Sequence, residues 1–196
     1  MAAALRKTGI GPLGDRPWGT HACVFYETPK DILDTLAAYF EAGLESHEFC
    51  VWAVSEPLTV EDAQEALRRR IPGFARHLAA GSIEILPGRD WYLKGDRFDL
   101  GKITGGWDEK LAGALASGHA GLRVSGNAFW LASEHWQDFD AYEHELETRI
   151  AGQPMIVLCT YPLKACGATE VLDVAPPTRS RWCGGAGTGK SSRPPS

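Results

Sequence analysis

The chain contains no apolar run approaching the roughly 20 residues that cross a bilayer as a helix, and its start, Met1-Ala2-Ala3-Ala4-Leu5-Arg6-Lys7, is too short for a secretory signal. A soluble, cytoplasmic protein is expected. Positive charge is not in excess: 20 Lys and Arg stand against 25 Asp and Glu, a net charge of −5. The basic residues are scattered except for Arg68-Arg69-Arg70, which closes a helical pattern where cations suit the helix dipole, so there is no electrostatic footprint for nucleic acid. No CxxC pair occurs among Cys23, Cys50, Cys159, Cys166 and Cys183. Their odd number and mostly apolar, strand-like settings suit reduced thiols in a core, and argue against a disulfide framework and a structural zinc site.

Catalytic spacing is missing too. Ser125-Gly126 does not form a Gly-x-Ser-x-Gly elbow, because position 123 is arginine, and His119 and His135 stand at no spacing that implies a triad. No catalytic residue, metal or cofactor is expected. The last absence is the most informative. His21-Ala22-Cys23-Val24-Phe25-Tyr26 reads as a buried strand, and it runs through Glu27-Thr28-Pro29-Lys30 into an amphipathic helix. A nucleotide-binding α/β protein places its glycine-rich phosphate loop at that point, and this loop has no glycine.

What is present, in 196 residues of which 44% are hydrophobic, suffices for one domain with a sizeable core. Residues 1–19, rich in Gly and Pro, read as an extended leader. After the first strand, Thr28 caps a helix with Pro29 at its first position and Asp31 at the third, and Ile32, Leu33, Leu36, Tyr39, Phe40 and Leu44 recur at helical spacing. Phe49 to Val54 is a continuous apolar run, the pattern of a strand covered on both faces. Thr59 with Asp62 repeats the capping signal for a helix to about Arg70, and a further helical piece spans Phe74 to Ala80. Ser82 to Leu86 is the third strand. Arg89 to Gly106 reads at first as loop and leads to a helix through Trp107, Leu111 and Leu115. Leu122 to Ser125 is a short fourth strand; Ser133 caps a long helix with a stripe of Trp136, Phe139, Tyr142, Leu146 and Ile150; Met155 to Tyr161 is the fifth strand. Five or more strands separated by helices predict an α/β fold with an open, mostly parallel sheet in three layers.

Residues 175–196 belong to another compositional regime, with four prolines, four glycines, four basic residues and no acid. They read as a disordered tail, of the bias that an out-of-frame stretch of a high-GC gene produces. Within it, Gly184-Gly185-Ala186-Gly187-Thr188-Gly189-Lys190-Ser191 matches the P-loop expression. A working P-loop needs a hydrophobic strand before it and a helix after it. Arg179-Ser180-Arg181-Trp182-Cys183 precedes it and only five residues follow Ser191, so nucleotide binding there is not expected.

His21-x-x-x-Phe25-Tyr26 resembles the His-x-x-x-hydrophobic-Tyr motif of the MEDS family, the sensory domain of methanogens, methylotrophs and a dichloromethane-responsive repressor. Phe40-Glu41-Ala42-Gly43-Leu44, Glu48-Phe49-Cys50-Val51-Trp52, Leu122-Arg123-Val124-Ser125-Gly126 with Trp130, and Cys159-Thr160-Tyr161-Pro162-Leu163 are similar to that family in the same order, over about residues 17 to 174. The resemblance implies a RecA-like core that has lost phosphate binding, a sensory domain within 20–174, and small hydrocarbon derivatives as ligands. It also implies signalling to a histidine kinase, an anti-sigma factor or a transcription regulator. A protein-interaction module without any small ligand is the alternative.

His offers a donor and an acceptor and Tyr an apolar ring with a polar tip, a useful pair for a small, weakly polar ligand. Positions 21 and 26 differ by five, so they share a pocket only if Tyr26 lies in the turn beyond its strand. Glu56, Trp91, Trp130 and Tyr161 follow or end the second to fifth strands and fall at one sheet edge, where open α/β sheets bind ligands. Arg123 joins these candidates because a buried arginine requires a carboxylate partner or an anionic ligand.

Overall fold

The computed structural model describes residues 4–94, 97–127, 136–165 and 180–184. Its centre is a six-stranded sheet in which every neighbouring pair is parallel. The strands are β1 (Thr20–Tyr26), β2 (Phe49–Val54), β3 (Ile83–Pro87), β4 (Leu122–Gly126), β5 (Met155–Pro162) and β6 (Ser180–Gly184), in the spatial order β6-β1-β5-β4-β2-β3. The five predicted strands are all present. β6 is an addition. It lies inside the segment whose composition suggested a disordered tail, and its five residues pair with β1 from Ser180 opposite Ala22 to Gly184 opposite Tyr26. The P-loop-like run therefore starts on a strand, while its remainder from residue 185 lies outside the described residues.

The helices are α1 (Pro29–Glu45), α2 (Val60–Arg70), α3 (Phe74–Ala79), α4 (Gly88–Tyr92), α5 (Leu100–Ala116) and α6 (Trp136–Ile150). Both capping signals operate as expected: Thr28 and Asp31, and Thr59 and Asp62, exchange side-chain to backbone hydrogen bonds in capping boxes. Ile32, Leu36, Tyr39, Phe40 and Leu44 of α1 pack with Ala22, Val24, Trp52, Ile156 and Leu158 on one face of the sheet. The other face carries Cys23, Phe25, Val51, Val124, Val157 and Tyr161 against Trp107 and Leu111 of α5 and Tyr142, Leu146 and Ile150 of α6. Each buried side chain of this size contributes about 1.5–3 kcal/mol. Two helical layers are needed because both faces of the strands are apolar.

Two segments differ from the sequence expectation. The leader is docked: Leu5–Arg6 pairs antiparallel with Arg16–Pro17, and Ile10 and Leu13 are buried in the α1-side core. The stretch from Arg89, read as loop, is α4, a two-residue ladder joining Leu93–Lys94 to Arg97–Phe98, and the first turns of α5. Four glycines in α5 masked its periodicity, and the helix begins because the Asp99 side chain accepts from the Lys102 amide. Gly106 is there for space: a Cβ would stand 3.0 Å from the Trp91 ring.

Candidate functional site

Two constellations stand out, both on the α5/α6 side of the sheet. The first is a buried polar cluster. His21, near the start of β1, turns to α6, where Glu143 and Glu147 are four residues apart and so share a helix face. Its Nδ1 lies 2.9 Å from Glu147 Oε2 and its Nε2 3.1 Å from Cys159 Sγ of β5 and 3.5 Å from Glu143 Oε2. His21, Glu143 and Cys159 are all buried. Tyr161, two residues along β5 and therefore on the same face, faces the Glu143 carboxylate. Burial first, then the negative field of Glu143 and Cys159, holds its phenol well above the usual tyrosine range. Tyr142 and Tyr92 are displaced in the same direction, again chiefly by burial, so all three hydroxyls stay protonated.

The second is an open cleft of about 720 Å³ between α4, the 93–98 ladder and the first half of α5. Its inner wall is Trp91, Tyr92 and Ile103, and its rim carries Asp90, Asp99 and Glu109 against Arg97, Lys102 and Lys110. The rim charges balance, so the cleft selects neither sign. Trp91 is packed on Trp107 with ring centroids 4.2 Å apart, and the Lys110 ammonium lies 5.2 Å from its ring. The Trp91 indole Nε1 is buried without a hydrogen-bond partner among the described residues. Trp107 in turn donates from Nε1 to the Tyr142 hydroxyl at 3.3 Å, next in sequence to Glu143. Contacts between aromatic residues thus run from the cleft to Tyr142, the residue before Glu143 on α6.

Of the residues singled out from sequence, Trp91 lies on the cleft wall, and His21 and Tyr161 belong to the polar cluster. Tyr26 does not join His21. It is the last residue of β1 rather than part of the turn beyond it, and its ring lies in the α1-side core. The five-residue separation places the two on opposite faces of the sheet. Glu56 is exposed in the loop after β2. Trp130 lies outside the described residues. Arg123, second in β4, sits towards the other end of the sheet, fully buried and ion-paired with Glu48. Its remaining donors reach the carbonyls of Tyr39 at 3.0 Å and Lys7 at 2.8 Å. Of the two partners a buried arginine can have, a carboxylate and an anionic ligand, the first is in place. Gly43 makes the room, since a Cβ there would come 2.5 Å from the Arg123 side chain.

Glu143, Glu147 and Cys159, and the cleft residues Trp107, Ile103 and Lys110, were not reached by sequence reasoning. The one local signal was the i, i+4 pair of glutamates beside the apolar stripe of α6. The vacated phosphate position also has a structural account. The α1 N-terminus is occupied by its own cap: Asp31 donates its amide to Thr28 Oγ1 at 3.2 Å, Thr28 donates its amide to Asp31 Oδ2 at 3.2 Å, and Pro29 has no amide to offer. An acidic side chain in that first turn also repels an anion.

Residues 20–176 match the family described as MEDS, the methanogen/methylotroph, DcmR sensory domain. A KaiC-like protein from the hyperthermophilic archaeon Pyrococcus horikoshii, known from its crystal structure, superposes with a TM-score of 0.61 at 16% identity, over 93% of this chain and 81% of that one. At that identity the likeness shows the fold alone, a RecA-like α/β core. No curated protein sequence matches the chain.

Proposed function

This chain belongs to the MEDS family of sensory domains, and from that premise we propose that it binds a small, uncharged organic molecule in the cleft between α4 and α5 and reports its presence to a regulatory partner. The observation that carries the reading is the Trp91 indole, an apolar wall with a buried N–H that has no acceptor among the described residues. Leaving such a donor unmet costs about 1–3 kcal/mol. A ligand with an apolar body against Trp91 and Ile103 and one acceptor oxygen would recover it. The volume of about 720 Å³ falls in the range of small-molecule sites. Hydrocarbon derivatives such as small alcohols and ketones fit this chemistry, and the balanced rim gives no advantage to an ion. The partner would be a histidine kinase, an anti-sigma factor or a transcription regulator. In this reading the domain binds and does not catalyse, and nucleotide is not its ligand.

A thermal-shift screen with small alcohols, ketones, halocarbons and Mg-ATP tests it. A compound at about 100 times its dissociation constant adds about 2.7 kcal/mol, which raises the melting temperature by about 5 °C or more in a chain of this size. We expect that response from an organic compound, and we expect Trp91→Ala to abolish it. Stabilisation by Mg-ATP alone would refute the proposal. Silence of the whole panel would favour the second reading, an interaction module. That reading draws on Leu115, which is 45% exposed beside Leu111, Ala112 and Arg149 in a groove between α5 and α6.

A further inference from the structure

We propose that the buried His21, Glu143 and Cys159 form a binding site for a divalent transition-metal ion, with zinc the metal that suits them best. The site is independent of the organic ligand proposed for the cleft. The three donor atoms come from three elements, β1, α6 and β5, and all lie within 4.8 Å of one another. Zinc bonds of about 2.0–2.3 Å in a tetrahedron hold neighbouring donors about 3.3–3.7 Å apart. His21 Nε2 stands 3.1 Å from Cys159 Sγ and 3.5 Å from Glu143 Oε2, and Cys159 and Glu143 lie within 4.8 Å of each other, so an ion enters with side-chain shifts of up to about an ångström.

The surroundings have the arrangement that metal-bound histidines require. His21 turns its other nitrogen, Nδ1, to Glu147 Oε2 at 2.9 Å. A proton on Nδ1 donated to that carboxylate leaves Nε2 with its lone pair directed at the other two donors. Tyr161 lies beside the Glu143 carboxylate. Mixed nitrogen, oxygen and sulfur donors favour zinc, cobalt or copper over magnesium or calcium, which take oxygen alone. On coordination the Cys159 thiol gives its proton to solvent, and the thiolate and Glu143 together neutralise the divalent charge inside the core. Three protein donors leave a fourth position for water or an exogenous ligand.

The test uses the full chain, stripped with a chelator and titrated with Co²⁺ as a spectroscopic probe and with Zn²⁺. We expect one ion per chain by mass spectrometry, tetrahedral cobalt ligand-field bands, and a thiolate-to-cobalt charge-transfer band. We also expect protection of Cys159 from alkylation by Zn²⁺. Cys159→Ser should remove the charge-transfer band, and His21→Ala should abolish stoichiometric binding. Glu147→Gln should weaken binding by about 10- to 100-fold while leaving the spectrum unchanged. His144→Ala, an exposed histidine on the same helix, should change nothing. Binding with no thiolate band, binding that survives both Cys159→Ser and His21→Ala, or no binding at all would overturn the proposal. If a variant fails to fold, the charge-transfer band and the alkylation protection of the unsubstituted chain decide. Trp91→Ala, which tests the organic site, should leave cobalt binding intact, so the two proposals fail separately.

Discussion

Arg123 and His21 are both buried polar residues on this sheet, yet on opposite faces they have opposite characters. Arg123, on the α1 face, has the carboxylate of Glu48 and two backbone carbonyls fitted to its guanidinium, and Arg6 takes the other Glu48 oxygen at 2.9 Å. Glycine clears the space for it. His21, on the α6 face, has two ring nitrogens confronting two carboxylates and a thiol, a set richer in negative and metal-binding groups than in donors. The first arrangement is complete with the chain alone and ties the leader, α1 and β4 together. The second gathers nitrogen, oxygen and sulfur groups of the kind that hold a metal ion. The contrast teaches that burial of a polar residue does not by itself mark function; what matters is whether the neighbours match its donors and acceptors.

The comparison can be broken most forcefully at Arg123. Arg123→Ala removes the buried cation from Glu48 and leaves it only the partly exposed Arg6, and we expect a loss of about 3–5 kcal/mol in chemical denaturation. A loss below 1 kcal/mol would remove the distinction, because Arg123 would then be as dispensable to the fold as a site residue. His21→Ala should cost less, about 1–3 kcal/mol, and retain the native circular dichroism spectrum while losing metal. Equal destabilisation by the two variants would make His21 a core support.

The smallest effect is expected at the lip of the cleft. The Asp99 carboxyl is held below its usual value of 3.8, first by the side-chain hydrogen bond from Lys102 and then by the Lys102 amide it caps. A depressed folded pKa means that this contribution is present above about pH 3.8 and is lost as pH falls through the lowered folded value. Hydrogen exchange at the first amides of α5 should therefore accelerate on acidification below pH 4, and Asp99→Ala should show that fast exchange at every pH. Protection indifferent to pH in the native chain would show that the cap contributes nothing to the helix start.

The legible parts of this protein were those governed by neighbours in sequence. Thr28 with Asp31 and Thr59 with Asp62 announced two helices, and the apolar runs from His21, Phe49 and Met155 announced strands buried on both faces. The parity of positions 21 and 26 already said that the motif pair would divide between faces unless the strand ended early, and it does not. The start of α5 was hidden by Gly101, Gly105 and Gly106, of which Gly106 serves the close approach of Trp91 rather than any local rule. Strand β6 was hidden by its setting in a glycine- and proline-rich tail. The search for CxxC looks for ligands held by one short loop; His21, Glu143 and Cys159 are brought together by three separate elements, and no spacing along the chain foretells that.

Sequence alone determined the layered α/β class, the starts of α1 and α2 and the absence of a glycine-rich loop after β1, because capping, periodicity and glycine content act within a few residues. Tertiary structure decided which buried polar groups meet structural partners and which meet metal-binding ones, because that depends on strand order and on the helix faces that strand order brings together. Arg123 and His21 look alike in the chain, and only the packing of α1 on one face and α6 on the other tells them apart.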